Sequence, residues 1–564
     1  MAKLKFRSKL CGLILTVSLL CTMFLVSCTS LYSCGARPFS TDFDLTESDI
    51  RDYNKAAEAF ESSVINNKNE IVIMIRSLRF VNGFSRIFTQ YTVSYVNYCK
   101  DMKDEKAVSD YEFAFKAYND ANNLYRETLK NILLSDSEYA QFLFEDWSEE
   151  EKRVLLDNND NVYRLNEENE KLLIKYRDLD EDAEGWMNSV DEIYFELVKN
   201  NNDIAKEYGY SSYYDYSSKV EYMRPYTAEE REMFRGYVRD YIIPLYNENY
   251  QKFEELKNSA DEQTKETLAI LQGTSYSENK EIQGYVSDFI ATFTETGDTG
   301  VKYSDGMSAM FKPGRAVFAN GENSLDGAFT TYLMDYNEPI AYFGPRYQNM
   351  LTVTHEMGHY AAFARNGFSG VSVDLCEVHS QANEWLLIAY LEDKIDPEVY
   401  EMLMLSRLLS GFETIIVATA VDECEERIYS ATDADSKEDY SEIISEVMSV
   451  YGDATTRGVR LEEYYRLVAA DNPVYYLSYA VSEIASVSYF IEAVEDYDEA
   501  RASYVGFVDG SFDPESEQSG LSQPFDEEVY KSFAEMFGSG EDAGDDAEMG
   551  TVYSVLDVIC LPAA

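Results

Sequence analysis

Histidine is, together with tryptophan, the scarcest residue in this chain, and its placement is the first sign of chemistry. The 564 residues contain three histidines, and all of them lie between His355 and His379. His355 and His359 flank Glu356 in an H-E-x-x-H pattern. Residues four positions apart share one face of a helix, so both imidazoles can reach one tetrahedral zinc. Glu356 lies beside the first imidazole and can accept a proton from water, so the spacing predicts a zinc-binding helix with its own general base.

A catalytic zinc also needs a third protein ligand and one open coordination position. The next stretch predicts a second helix that begins with Asp374 as its N-cap. Glu377 and Glu384 share one polar face of this helix, whereas His379 points away from it. Geometry alone therefore favours Glu377 or Glu384 as the third ligand. Glu384 also suits a supporting hydrogen bond to a ligand imidazole, and His379 is assigned at most a supporting or substrate-contacting role.

The elements that must position these residues are predominantly helical. Only 11 prolines and 28 glycines interrupt the chain, and a hydrophobic content of 45% is sufficient for a large core. Helical periodicity extends from about residue 46 to 290 and again from about 347 to 537. A more strand-like passage lies between them, near residues 296–345. We therefore expect a mainly α-helical protein with a small sheet close to the predicted zinc helix.

Charge and cysteine content exclude two classes of function. Acidic residues outnumber basic ones 103 to 48, which gives a net charge of -55. Such a surface repels phosphate backbones, so we expect no nucleic-acid partner. None of the 8 cysteines forms a C-x-x-C pair, which argues against a cysteine-ligated zinc site.

The N-terminus has the pattern of a bacterial lipoprotein signal. Lys3, Lys5, Arg7 and Lys9 are basic, the following stretch to Val26 is apolar, and Leu-Val-Ser-Cys closes it at Cys28. This order predicts a signal peptide over residues 1–27 and lipidation of Cys28. We therefore expect a secreted protein that is lipid-anchored to the outer face of a bacterial cell membrane, with no other membrane contact.

Three stretches, taken in order, carry a family resemblance. They are GYSSYYDYSSKVEYMRPYTAEEREMFRGYVRDYIIPLY from Gly209, GAFTTYL from Gly327 with Glu338-Pro339-Ile340, and the zinc helix followed by CEVHSQANEW from Cys376. Together they resemble the thimet oligopeptidase and oligoendopeptidase F family of zinc metallopeptidases, in particular its oligoendopeptidase F branch. The zinc helix alone occurs in many peptidases, whereas the order of all three stretches is more specific.

The resemblance implies a mainly α fold in which two helical halves enclose a deep channel, with a small β-sheet along the cleft. It implies one zinc per chain, held by His355, His359 and Glu377, and the hydrolysis of oligopeptides. Apart from the resemblance, we expect a monomer. The expected organisation is a lipoprotein signal peptide (1–27), a tether (28–45), a helical N-terminal region (46–295), a zinc peptidase catalytic region (296–537) and an acidic tail (538–564).

The family also places a histidine and tyrosines in its C-terminal part, where they stabilise the transition state. Asp471-Asn472-Pro473 predicts the start of a helix on which Tyr475, Tyr476 and Tyr479 follow. The resemblance gives Tyr479, and Tyr475 or Tyr476 with it, the role of hydrogen-bond donors to the oxyanion. The family's histidine has no counterpart, because no histidine follows His379.

The main prediction is a lipid-anchored zinc metalloendopeptidase, and two other functions stay open. A dipeptidyl carboxypeptidase of the angiotensin-converting-enzyme type shares the HEMGH string but needs a cationic clamp for the substrate's carboxylate, which the sequence does not reveal. A catalytically weak peptide-binding surface lipoprotein is favoured by the missing histidine and disfavoured by the intact Glu356.

Overall fold

The computed structural model describes residues 39–145, 147, 152, 155–156, 160–177, 179, 185–222, 224–367, 372–431, 437–452, 473–510 and 523–538. The predicted signal peptide, Cys28 and most of the predicted tether lie outside the described residues. The predicted acidic tail also lies outside them after Gly538.

The described chain is mainly α-helical, as predicted. The helices before the sheet are α1 (Glu47–Ile65), α2 (Glu70–Lys100), α3 (Glu105–Leu133), α4 (Glu138–Leu143), α5 (Asp160–Arg177), α6 (Trp186–Glu207), α7 (Tyr213–Tyr216), α8 (Ala228–Tyr237), α9 (Ile243–Ser259), α10 (Glu262–Gly273), α11 (Lys280–Thr292) and α12 (Gly297–Ala309). Those after it are α13 (Met350–Asn366), α14 (Val373–Leu391), α15 (Pro397–Ser430), α16 (Lys437–Val450), α17 (Leu477–Glu495), α18 (Tyr497–Gly510) and α19 (Glu527–Phe537). Short π-helical segments at Ser217–Glu221 and Val238–Ile242 join some of them.

A small three-stranded sheet forms from β1 (Ala316–Phe318), β2 (Ala328–Leu333) and β3 (Glu338–Phe343). The strand order is β1-β3-β2, with β1 parallel and β2 antiparallel to β3. Successive side chains alternate between the faces of a strand. Phe329 and Tyr342 therefore pack towards α2, while Ala328 and Ala341 lie on the opposite face, in the largest apolar core of the described residues. The prediction of a mainly α fold with a small sheet is confirmed, and the deep channel between two halves stays a prediction.

The strand-like interpretation of residues 296–345 is wrong over its first part, because Gly297–Ala309 forms α12. One glycine of this helix, Gly306, serves close packing. A Cβ on Gly306 would lie 3.2 Å from the backbone of Ala361 on α13. Gly306 therefore lets α12 approach the helix that carries the histidines.

Two large apolar cores organise the helices. The first lies among α1, α2 and α3, where Tyr53, Phe80 and Tyr125 stack in parallel. The second and larger core surrounds α14, α15 and α17. By length and composition α15 could cross a membrane, but 78% of its apolar window is buried inside the protein. Its apolar character therefore matches its place in this core.

Candidate metal centre

Two neighbouring helices, α13 and α14, bring the predicted ligands together. Asn349 caps the start of α13 by accepting a hydrogen bond from the backbone N–H of Thr352. Gly358, between the two predicted ligand histidines, allows the helices to approach each other closely. A Cβ at this position would lie 2.3 Å from the carbonyl oxygen of His379 on α14. The close approach requires glycine and brings Glu377 within reach of both imidazoles.

His355, His359 and Glu377 converge on one point, and one ligand atom from each lies within 4.8 Å of the others. The Oε2 atom of Glu377 is 3.7 Å from Nε2 of His355 and 3.6 Å from Nε2 of His359. Two ligand atoms at about 2.0–2.1 Å from a tetrahedral zinc are separated by roughly 3.3–3.4 Å. The three side chains thus have the donor types and the spacing that suit one zinc ion with an open fourth position.

Glu377 is held in its ionised form although it is buried. Burial raises the pKa of its carboxyl, but the facing imidazoles of His359 and His355 outweigh burial and bring this pKa below its usual value. Ser380, one turn further along α14, lies 3.3 Å from Oε2. An ionised carboxylate in this place is the form that binds a cation.

A chain of buried polar groups supports His355. Its Nδ1 atom lies 2.7 Å from Oε1 of Glu384, so Nδ1 carries the proton and Nε2 is turned to the centre. Nε of Arg407 on α15 lies 3.0 Å from Oε2 of Glu384, and its guanidinium also donates to both carboxylate oxygens of Glu483 on α17. Burial raises the pKa of Glu384, but Arg407 and then His355 keep this pKa below its usual value. The supporting contact expected of Glu384 is therefore present, and its role stays a prediction.

The general base predicted at Glu356 is positioned by the sheet. Ala328 and Thr330 share one face of β2, and Thr330 Oγ1 lies 2.7 Å from Oε2 of Glu356. The side chain of Glu356 is buried, and its Oε1 atom has no hydrogen-bond partner among the described residues. One carboxylate oxygen is therefore held in place while the other is available to a reactant.

The predicted tyrosine helix begins later than expected. Asp471 and Asn472 lie outside the described residues, and α17 starts at Leu477 with Tyr476 as its N-cap. Tyr475 and Tyr476 thus belong to the preceding turn, and only Tyr479 lies on the helix. The ring of Tyr479 is 5.2 Å from that of Tyr475 and 5.8 Å from that of Tyr476, measured between centroids.

Tyr475 contacts a predicted metal ligand. Its hydroxyl donates a 3.1 Å hydrogen bond to Oε1 of Glu377. Burial, followed by the charge of Glu377, raises the pKa of Tyr475 far above its usual value, so its phenol remains a donor. The contact indicates a supporting function for Tyr475, whereas its predicted contact with substrate remains untested.

His379 is not among the three side chains that converge on the candidate centre, and it lies in a packed environment. Its side chain is fully buried, and its ring packs against Phe507 on α18 at a centroid distance of 5.6 Å. Burial, followed by the charge of His359, lowers the pKa of His379 to about 3. His379 is therefore neutral at physiological pH, and a supporting role for it stays a prediction.

Comparison with known proteins identifies the fold. No protein-family model and no curated protein matches the chain. Solved structures do match: a Bacillus anthracis Ames protein designated an oligoendopeptidase F has 16% sequence identity and a TM-score of 0.64, covering 88% of this chain and 96% of that one. PZ peptidase A with an inhibitor has 15% identity and a TM-score of 0.64, covering 90% and 98%. The chain has an oligoendopeptidase F-like fold. Oligoendopeptidase F from Enterococcus faecium has 13% identity and a TM-score of 0.51, covering 87% and 95%.

Several residues that build the site in this oligoendopeptidase F-like fold were missed from sequence. Thr330 lies in the GAFTTYL stretch, and strand periodicity could have placed it on the face towards α13. Gly358 could have been suspected, because glycine inside a helix weakens it and needs a packing reason. Arg407 gave no signal, since its partners Glu384 and Glu483 are distant in sequence.

Asp374 was wrongly assigned as an N-cap, because Ser372 caps α14 and Asp374 is buried in its first turn.

Proposed function

We propose that this protein is a zinc-dependent peptidase that hydrolyses oligopeptides. The observation that carries the proposal is the convergence of His355, His359 and Glu377 on one point, with Glu356 next to the first histidine on the same helix. The likeness in fold to structures named as peptidases supports the reaction class. A buried two-histidine, one-carboxylate group is the donor set of many catalytic zinc sites.

His355, His359 and Glu377 would hold the zinc, which when bound supplies Lewis-acid chemistry that lowers the pKa of water and polarises a carbonyl. The chain itself supplies the proton transfers. Oε1 of Glu356 accepts a proton from the attacking water and returns it to the leaving amine. Tyr479 donates a hydrogen bond to the oxyanion that develops on the peptide carbonyl. Glu384 fixes the tautomer of His355, so that Nε2 is the atom presented to the metal.

The test is Glu356→Gln, assayed on a quenched fluorescent peptide whose two ends are blocked. This variant should keep its zinc and its melting temperature, because it removes the proton acceptor and leaves the ligands alone. Its turnover should fall by at least about a hundredfold, the lower range of a general base's contribution. Glu322→Gln, which changes an exposed carboxylate outside the centre, is the matched control and should leave turnover unchanged.

The blocked peptide also separates the alternatives. A second peptide of the same sequence, with a free C-terminus, is assayed beside the blocked one. Cleavage of the blocked peptide identifies an endopeptidase, whereas cleavage of only the second peptide identifies a dipeptidyl carboxypeptidase. Peptide binding without cleavage by the wild-type protein would identify a binding lipoprotein. Unchanged turnover in zinc-loaded Glu356→Gln would overturn the mechanism.

We also propose that the protein works as a monomer outside the cell, anchored by a lipid on Cys28. The support is the basic, apolar and Leu-Val-Ser-Cys order of the N-terminal residues. Cys28→Ala should be released from the membrane fraction or retained unprocessed. A wild-type protein with an unmodified N-terminus at another residue would contradict the proposal.

A further inference from the structure

The turn that precedes α17 contains a strained residue. Val474 has φ +64° and is fully buried. A left-handed conformation is unfavourable for a β-branched residue because its side chain is crowded by the backbone. Such a conformation persists only where the surroundings impose it. The turn from Pro473 to Tyr476 must therefore be held by its neighbours.

Arg224 is the main neighbour that holds it. Its guanidinium donates to the carbonyl oxygen of Val474 at 2.7 Å and to that of Tyr475 at 3.2 Å. It also donates to Oγ of Ser478 at 3.0 Å, in the first turn of α17. The side chain of Arg224 is completely buried, so water cannot replace these bonds.

Two carboxyl groups complete this arrangement. Glu425 on α15 accepts a 2.8 Å hydrogen bond from the backbone N–H of Val474. Asp374, in the first turn of α14, accepts a 2.5 Å hydrogen bond from Ser478 and lies 3.6 Å from Nε of Arg224. Asp374 thereby connects the turn to the helix that carries Glu377.

We propose that Arg224 is a positioning residue of the candidate peptidase site, holding the strained turn in the one conformation that brings Tyr475 onto Glu377 and Tyr479 beside it. This inference rests on the proposed peptidase function and adds a residue to it. Arg224 lies about 250 residues before the turn in the sequence. Its hydrogen bonds among the described residues are to the turn and to Ser478, and not to the proposed metal ligands. Its effect on turnover therefore passes through the backbone of the turn.

Arg224→Lys tests the proposal, because lysine keeps the charge but cannot reproduce the fork of donors that bridges two carbonyls and a hydroxyl. We expect kcat to fall by about a hundredfold, as when a distant change misplaces a catalytic group by about 1 Å. KM should change little. Arg231→Lys is the matched control, since Arg231 is a buried arginine that bonds Glu426 and does not contact the turn. That control should keep wild-type kcat.

Glycine at position 474 provides the rescue. Glycine adopts positive φ without strain. The kcat of Arg224→Lys/Val474→Gly should therefore be at least about tenfold higher than that of Arg224→Lys alone. Arg224→Lys/Val474→Ala removes similar side-chain volume but keeps most of the strain, and should recover nothing. A merely structural role for Arg224 would give equal kcat for the two double variants and would overturn the proposal.

Hydrogen exchange of the amides of residues 474–478 supplies a measurement that needs no activity. Exchange should accelerate in Arg224→Lys and return towards the wild-type rate in the Val474→Gly double variant. Ser478→Ala, a milder change, should shift exchange and kcat in the same direction even if Arg224→Lys does not fold. Wild-type exchange in both Arg224→Lys and Ser478→Ala would refute the positioning role, whereas absence of peptide cleavage by the wild-type protein would refute only the proposed function.

Discussion

Replacing Tyr475 with phenylalanine should weaken zinc binding, because the lost hydroxyl donates to the proposed ligand Glu377. The bond is 3.1 Å long, and both side chains are buried, so water is poorly placed to substitute for it. A hydrogen bond to a charged group contributes about 1.5–3 kcal/mol. Because about 1.4 kcal/mol corresponds to a tenfold change, this amounts to a roughly ten- to hundredfold weaker zinc affinity. The same range is found when other residues that orient metal ligands are replaced.

The assay is competition for zinc with a chromophoric chelator at constant pH, with kcat measured afterwards at saturating zinc. Tyr479→Phe is the matched control, because this tyrosine has the same chemistry and lies beside Tyr475. Tyr479→Phe should keep nearly wild-type zinc affinity, although the hydroxyl of Tyr479 hydrogen-bonds to that of Tyr475. It should lose about a hundred- to a thousandfold in kcat, the cost of removing one oxyanion donor. Tyr475→Phe should show the converse, with weaker zinc binding and a milder loss of kcat once the metal is saturating.

The reasoning would be refuted if Tyr475→Phe bound zinc as tightly as wild type while Glu377→Ala lost the metal. Glu377 would then be a ligand whose orientation does not depend on the hydroxyl. An equal loss of kcat in both tyrosine variants at saturating zinc would instead place Tyr475 in contact with the substrate.

Two further variants test the packing and the electrostatics around the centre. Gly358→Ala should lower the free energy of unfolding by about 1–3 kcal/mol and weaken zinc binding, because the added methyl would lie 2.3 Å from the carbonyl oxygen of His379 and push α13 from α14. Gly236→Ala, where nothing lies within 4 Å, should instead stabilise helix α8 by up to about 1 kcal/mol in the same thermal melts. Burial raises the pKa of Glu425 to about 8, so the folded protein binds a proton there that the unfolded chain has released above about pH 4.3. Wild-type stability should therefore fall relative to Glu425→Gln as pH rises from about 4.3 to 8, and parallel stability curves for the two proteins would contradict this sign.

Local signals in the sequence predicted most of the architecture. Thr227 followed by Glu230 three residues later is the sequence pattern of a capping box, and this box forms at the start of α8. The helix of the H-E-x-x-H motif ends at Asn366, and Gly367 follows it with φ +75°. Each of these features depends on residues a few positions apart. For that reason a single sequence is sufficient to find them.

The failures occur where a distant partner overrides the local pattern. Aspartate is a residue type that is common at N-caps, which favoured this role for Asp374. In the structure, Arg224, Tyr226 and Ser478 instead contact its carboxylate in the core. The predicted helix start before Tyr475 is replaced by a turn, because distant side chains bind its backbone groups. Long-range hydrogen bonds of this kind leave no periodic trace in the sequence, and only the folded chain shows them.

The two buried arginines of the site have one feature in common. Arg224 pairs with Asp374 near the start of α14, and Arg407 pairs with Glu384 two turns beyond the ligand Glu377. Each arginine also binds α17 or the turn before it. Positive charge is scarce in a chain of net charge -55, and here it is buried against α14, where Glu377 and Glu384 both have a lowered pKa.

The two arginines should therefore affect the site by different routes. Loss of Arg407 leaves Glu384 and Glu483 as buried acids without their shared cation, which raises the pKa of Glu384 and weakens its hold on His355. Loss of Arg407 should therefore weaken zinc binding. Loss of Arg224 should instead release the strained turn and so displace Tyr475 and its neighbours. α14 connects both effects, since it carries Asp374, the partner of Arg224, then the proposed metal ligand Glu377, and two turns further Glu384, the partner of Arg407.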